Sequence, residues 1–239
     1  MNTRRDSVRA YFDKTEVYLR ENPRIATRAI LIRKLLGDVV DSDILDIGCG
    51  DGSLSLQFLP PDNRVTLVDF SRQMLAKASE NTPASHRSRV EFVNSDIDDL
   101  DSTKQYQLVL CMGVLAHVAS VERTINKISA LISPGGRCVI QITDNGQFLG
   151  KFLHWYYATR RALTRYSNYA MNKVARSEVI SIAARHGLTL VAQQQYSLLL
   201  PGMGWLPYTW LVRYELFTVD TPLLARMGTE AIMVFAKER

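Results

Sequence analysis

The stretch from Asp43 to Ser55, Asp-Ile-Leu-Asp-Ile-Gly-Cys-Gly-Asp-Gly-Ser-Leu-Ser, constrains the fold of this chain more than any other. A short apolar run, Ile44, Leu45 and Ile47, ends in a turn with glycine at every second position: Gly48, Gly50 and Gly52. Such a run bounded by glycine reads as a buried strand. Glycine serves where the backbone takes a positive φ, or where a ligand must approach the main chain with no Cβ in the way. A strand entering a glycine turn and then a helical stretch (53–59) predicts an open α/β sheet, whose ligands bind at the carboxyl ends of the strands. Asp46, two positions before the first glycine, puts a carboxylate at that end.

The rest of the chain repeats the alternation. Strands are predicted over 44–47, 65–68, 90–93, 108–111 and 138–142, with helices over 71–81 and 121–132 between them. Continuous apolar strands alternating with helices predict a mostly parallel sheet covered on both faces. Ser133-Pro134-Gly135-Gly136 reads as a turn into the fifth strand. Two helices come first, Arg4–Leu19 and Pro23–Leu36, the second stopped by Gly37. After Ile142 the pattern changes to an aromatic and arginine-rich stretch, 147–172. A helix near 177–186, a strand near 188–193, a Pro/Gly/Trp-rich loop and a last strand near 231–236 follow. The expectation is one domain over 1–239 with a doubly wound, seven-stranded sheet. Its parts are an N-terminal helical lid (1–40), a ligand-binding core (41–145), a cap (146–175) and the remainder of the sheet (176–239).

Three ligands compete for the glycine turn. A phosphate-binding P-loop needs a lysine after its last glycine, and none lies between Lys34 and Lys77. A dinucleotide site needs Gly-x-Gly-x-x-Gly, and here the third glycine comes one residue early. Asp46 and Asp51 flanking the turn would repel a pyrophosphate; they suit a ligand that carries positive charge. Asp-Ile-Gly-Cys-Gly-Asp-Gly resembles the first motif of the class I S-adenosylmethionine-dependent methyltransferases, and the resemblance runs in register over about 41–143. It implies the Rossmann-like methyltransferase fold, S-adenosyl-L-methionine as cofactor and methyl transfer as activity. It also implies roles: Asp46, Gly48, Cys49, Gly50 and Gly52 at the cofactor's amino-acid end, and Asp69, 17 residues beyond Gly52, on the ribose hydroxyls. Phe70 and Met74 would lie beside the adenine, Asp96 would accept its amino group with Ile97 alongside, and Met112 would close the site at the end of strand four.

The methyl acceptor is less constrained. The Asp/Asn-Pro-Pro-Tyr/Phe segment of enzymes that methylate base amines is absent after strand four, and Cys111 follows leucine rather than proline. No specific nucleic acid is therefore expected. Leu115-Ala116-His117 resembles the small-molecule branch that includes the quinone-biosynthesis and magnesium-protoporphyrin enzymes. His117 suits a general base, since imidazole titrates near neutral pH; the alternative is that it packs on the cofactor or orders its loop. Tyr11 and Tyr18 on the first helix are further catalytic candidates, with amphipathic packing as the competing reading.

Between Lys151 and Arg185 there are seven basic residues and one acidic, Glu178, interleaved with aromatics. Such a stretch can stack on an anionic or lipophilic acceptor, lie on anionic lipid as a peripheral membrane contact, or present a solvated basic face. The expected acceptor is a bulky hydrophobic or amphipathic small molecule methylated at oxygen. The alternatives are an RNA or protein acceptor docked on the basic cap, and a cofactor-binding scaffold without transferase activity. A net charge of +5 decides none of these. Three cysteines without Cys-x-x-Cys spacing support neither a disulfide framework nor a metal site. With no apolar signal segment and no long apolar run, a cytoplasmic protein is expected.

Overall fold

The computed structural model of the chain describes residues 23–60, 62–144, 172, 174–198, 203 and 206–239. The predicted first helix with Tyr11 and Tyr18, almost all of the aromatic and basic stretch, and Trp205 lie outside the described residues.

Helix α1 (Pro23–Leu36) turns Ala29, Leu31, Ile32 and Leu36 inwards at three- and four-residue steps. Gly37, at φ 73°, ends it by donating to the Arg33 carbonyl at 2.9 Å. The chain then enters β1 (Asp43–Ile47). Beyond it come β2 (Arg64–Asp69), α2 (Arg72–Asn81), β3 (Val90–Asn94), β4 (Tyr106–Met112), α3 (Val121–Leu131) and β5 (Ile132–Thr143). The second part holds α4 (Arg176–Arg185), β6 (Leu188–Tyr196), α5 (Tyr208–Asp220), α6 (Pro222–Ala225) and β7 (Glu230–Lys237). No helix among the described residues is long and apolar enough to cross a membrane.

The seven strands form one sheet in the order β3-β2-β1-β4-β5-β7-β6. The first five are parallel, and β7 runs antiparallel between β5 and β6. Strand order reverses between β1 and β4, so the glycine turn leaves the sheet at the crevice where open α/β sheets bind ligands. Alternate residues of each strand feed two cores. Leu45, Ile47, Val109, Cys111 and Ile140 pack against Ile125 and Ile128 of α3 and Val179 and Ile182 of α4. Ile44, Leu67, Leu110, Val139 and Val234 pack against α1, α2 and Val219 of α5. Burying each large apolar side chain is worth about 1.5–3 kcal/mol. Ile44, Leu45 and Ile47 thus hold β1 in place although it also buries the Asp46 carboxyl.

Three local expectations are corrected. Residues 53–59 do not make a full helix: only Ser55–Phe58 form a 3-10 turn, with no side-chain cap. The segment between Gly52 and Pro60 is too short to repay helix nucleation. The Pro134-Gly135-Gly136 turn lies inside β5 rather than before it, as an irregularity that shifts the pairing from Tyr106 with Ile132 to Leu108 with Arg137. The Pro/Gly/Trp-rich stretch gives way at Tyr208 to α5, which the sequence reading missed. Its β-branched and aromatic residues have modest helix propensity. Packing of Leu211, Thr218 and Val219 against α1 and β6 overrides that preference.

Candidate functional site

The glycine turn is held by main-chain bonds to its neighbouring strand: Gly48 and Cys49 both donate to the Val68 carbonyl, at 2.8 and 3.0 Å. Two of its glycines have distinct uses. At Gly48 (φ 69°) a Cβ would stand 2.5 Å from Cγ2 of Val114, so only glycine lets the loop after β4 close over the turn. At Gly50 (φ 55°) a Cβ would meet nothing within 4 Å among the described residues, which leaves the main chain open to a ligand there. Because no proper helix follows, the turn aims no helix N-terminus at that space. A site for a pyrophosphate would depend on one.

Two carboxyls border the turn. Asp46 on β1 is 2% exposed, and burial pushes its pKa up to about 7. The Ser55 hydroxyl pulls it down without making a well-formed hydrogen bond, and the nearby Asp69 charge pushes it further up. Among the described residues no cation pairs with Asp46. Asp69 ends β2; its Oδ2 accepts from the Gly50 N–H at 3.0 Å and its Oδ1 from the Ser71 N–H at 2.8 Å. These bonds fix the carboxylate between the turn and the start of α2; a carboxylate has about four lone-pair sites and can accept from several donors at once. Phe70 is half-buried, and Met74 is buried in the first turn of α2, where Ser71 Oγ caps the Met74 N–H.

Asp96 follows β3 in extended conformation and caps a short 3-10 turn, its Oδ1 accepting from Asp98 N–H at 3.1 Å. Ile97 is buried in the α3 and α4 core. Met112, half-buried, ends β4, and Gly113 (φ 78°) starts the loop that carries His117. Leu115 anchors that loop in the core. Asn172 clamps it from outside, its side-chain amide donating to the carbonyls of Leu115 (2.9 Å) and Val118 (2.8 Å) and its N–H to that of Ala116 (2.8 Å). His117 is half-buried, and its N–H bonds the Val114 carbonyl. Asp46, the glycines, Asp69, Phe70, Met74, Asp96, Ile97, Met112 and His117 thus sit at or just beyond the carboxyl ends of β1 to β4.

Sequence reasoning missed a polar group at the same edge of the sheet, on β5 to β7. Glu230 Oε2 accepts from Arg28 of α1 (2.9 Å), from the Tyr196 hydroxyl and from Gln141 Nε2 (3.0 Å). Arg28 Nε also donates to the Tyr196 hydroxyl at 2.8 Å. Burial, with the Glu230 charge beside it, keeps Tyr196 protonated. The only signal was a glutamine inside the apolar run 138–142, since the partners lie 34 to 202 residues apart in sequence.

The donor set fits a ligand that combines positive charge with hydroxyl groups. Among the described residues Asp46 lacks a cation and Gly50 leaves room at the main chain, and the Asp69 carboxylate is of a kind that can accept from a diol. Residues 45–138 match the sequence family described as "Methyltransferase domain". A ubiquinone biosynthesis O-methyltransferase of Rickettsia bellii is 31% identical over 113 residues, 46% of this chain and 45% of that protein. The chain spans about half the length of the curated relatives it matches. Among solved structures, the N-methyltransferase NodS of Bradyrhizobium japonicum, in complex with S-adenosyl-L-homocysteine, superposes with a TM-score of 0.63 at 18% identity. That match covers 92% of this chain and 91% of NodS. The magnesium protoporphyrin IX methyltransferase of Synechocystis gives 0.65 at 15%, covering 90% and 84%. At such identities these two carry the fold alone. Residues 45–138 are therefore similar to a methyltransferase domain, and the chain shares its overall fold with these two methyltransferases.

Proposed function

We propose that this chain binds S-adenosyl-L-methionine and transfers its methyl group to a small molecule, an oxygen of a bulky hydrophobic or amphipathic acceptor. The observation that carries the cofactor is the buried, cation-free Asp46 beside the fixed Asp69 at the open Gly50. In this reading Asp46 holds the ammonium end, directly or through water, and Asp69 accepts from the ribose hydroxyls. Phe70 and Met74 pack on the adenine, Asp96 accepts from its amino group with Ile97 beside it, and Met112 borders the site. When bound, S-adenosylmethionine supplies a methyl carbon already activated by its sulfonium. The chain then has to align the acceptor, exclude water and take up a proton. His117, on a loop anchored by Leu115 and clamped by Asn172, is the group we assign to that proton. Oxygen as acceptor atom is supported by the O-methyltransferase relative.

The test is calorimetric titration with S-adenosylhomocysteine, followed by transfer of labelled methyl to 4-hexylcatechol, a simple amphipathic hydroxyl acceptor. Binding in the wild type and its loss in Asp69→Ala are expected, with transfer lowered about 100-fold in His117→Ala. Binding that survives Asp69→Ala overturns the cofactor assignment. Transfer to RNA or protein, and none to the catechol, overturns the acceptor class.

A peripheral membrane contact is part of the proposal. Trp210 and Phe217, seven residues apart and so on one face of α5, are 67% and 63% exposed, with Arg213 between them. Co-sedimentation with vesicles containing phosphatidylglycerol, weakened in the Trp210→Ala/Phe217→Ser double variant, is expected. Equal recovery of both proteins in the supernatant removes this contact.

A further inference from the structure

The polar group on β5 to β7 leaves one atom unsatisfied. Gln141 is 2% exposed, and its Oε1 has no hydrogen-bond partner among the described residues. Which way this amide points is determined by its surroundings. Its Nε2 faces Glu230 Oε2 at 3.0 Å, and that carboxylate, paired with the Arg28 guanidinium at 2.9 Å, has no proton to give. Only the NH2 side of the amide can meet it. The oxygen is therefore committed to the opposite direction, where it can only accept.

That direction is towards Gly113. A Cβ built on Gly113 would lie 3.4 Å from Gln141 Oε1. Among the described residues, chain neighbours aside, it would meet no other atom within 4 Å. The Gly113 N–H already bonds the Gln141 main-chain carbonyl at 3.2 Å, which fixes the two residues face to face. A buried acceptor thus faces Gly113 at the root of the loop that carries His117. A buried polar atom left without a partner is costly, so the arrangement is complete only when something placed there donates a hydrogen bond.

We infer that Gln141 is a specificity-determining residue: Oε1, oriented by Glu230, Arg28 and Tyr196, accepts a hydrogen bond from a hydroxyl of the methyl acceptor lying beside Gly113. This inference rests on the proposed transfer to a hydroxylated small molecule. It selects acceptors that keep a free O–H and rejects those in which every oxygen is already alkylated, because such a molecule buries Oε1 without satisfying it. Glu230 is a positioning residue, acting through the amide it turns.

The experiment uses the full chain saturated with S-adenosylhomocysteine and two probes, 4-hexylcatechol and its dimethyl ether, which has no O–H. Calorimetry is expected to show the wild type binding the catechol at least about tenfold more tightly than the ether. In Gln141→Leu the two affinities converge, while S-adenosylhomocysteine binds as in the wild type. Glu230→Gln gives a second reading: its own amide can donate or accept, so Gln141 is free to turn over and the preference for the catechol shrinks. Circular dichroism and S-adenosylhomocysteine affinity report that each variant is folded. Undiminished preference in both variants overturns the inference and leaves the proposed function standing. Loss of S-adenosylhomocysteine binding in folded Gln141→Leu also overturns it, assigning the oxygen to the cofactor. A wild type that binds S-adenosylhomocysteine but not the catechol overturns the hydroxylated-acceptor reading, and the inference with it.

Discussion

At the scale of single residues, Asp46 carries the sharpest consequence, because its carboxyl titrates at about 7 in the folded chain and near 3.9 once unfolded. Between those values the native state holds a proton that the unfolded state has released. Stability therefore falls as pH rises across that window, by up to about 1.4 kcal/mol per pH unit, and is level above it. Affinity for a cationic ligand runs the other way. It rises with pH up to about 7, by as much as about tenfold per unit, because only the ionised carboxyl attracts the cation. Asp46→Asn should raise the melting temperature at pH 8 more than at pH 5, and should flatten the pH profile of S-adenosylmethionine binding while weakening it at pH 8. Calorimetry from pH 5.5 to 8.5 checks both, and an affinity that ignores pH in the wild type would move the cationic end of the ligand away from Asp46. Asp46 and Asp69 were legible in the sequence because a strand, its turn and the next strand's end lie within 27 residues. Gln141 was not, because the Arg28, Tyr196 and Glu230 side chains that give its amide a direction meet only in the folded sheet.

At the scale of elements, the loop after β4 shows how one residue can set the shape of a segment. Its own sequence supplies the anchor, Leu115, and the left-handed glycine that starts it, Gly113. The clamp comes from Asn172, more than fifty residues on. Asn172→Ala removes two side-chain bonds and should destabilise the loop by about 1–3 kcal/mol. Amide exchange over 114–118 should quicken while cofactor binding persists. Asn172→Asp is the more damaging change although it keeps the shape, since a carboxylate would face two carbonyl oxygens with no proton to share. Exchange in that variant slower than in the alanine variant would show that the clamp is not made by these donors. Other elements differ in how far sequence revealed them. Strands β1 to β5 announce themselves as apolar runs between breakers. Helix α5 does not, because its residues prefer strand locally and become helical only against α1 and β6. The insertion of β7 between β5 and β6 is likewise a property of the assembled sheet and leaves no local mark.

At the scale of the whole molecule, three thiols distributed across the sheet report on how it opens. Cys111 and Cys138 lie inside β4 and β5 with no exposed surface, and Cys49 sits in the glycine turn at 9%. Burial raises all three above the usual thiol range, Cys138 to about 12. For Cys49 the carboxylates of Asp46 and Asp69 add to the shift. Since the thiolate is the reacting form, none should react with an aromatic disulfide at pH 8 in the native protein, and all should react in denaturant. The informative regime lies between. Cys111 and Cys138 can be reached only by taking the sheet apart, so their labelling follows global unfolding. Cys49 needs only the turn to lift from the Val68 carbonyl, and its labelling should be faster. S-adenosylhomocysteine at a hundred times its dissociation constant stabilises the bound form by about 2.7 kcal/mol. It should slow labelling of Cys49 about 100-fold if closing of the turn and binding are one event. If Cys49 keeps its rate while the other two slow, the ligand grips the sheet without the turn, and the glycines serve packing under Val114 rather than approach of a cofactor.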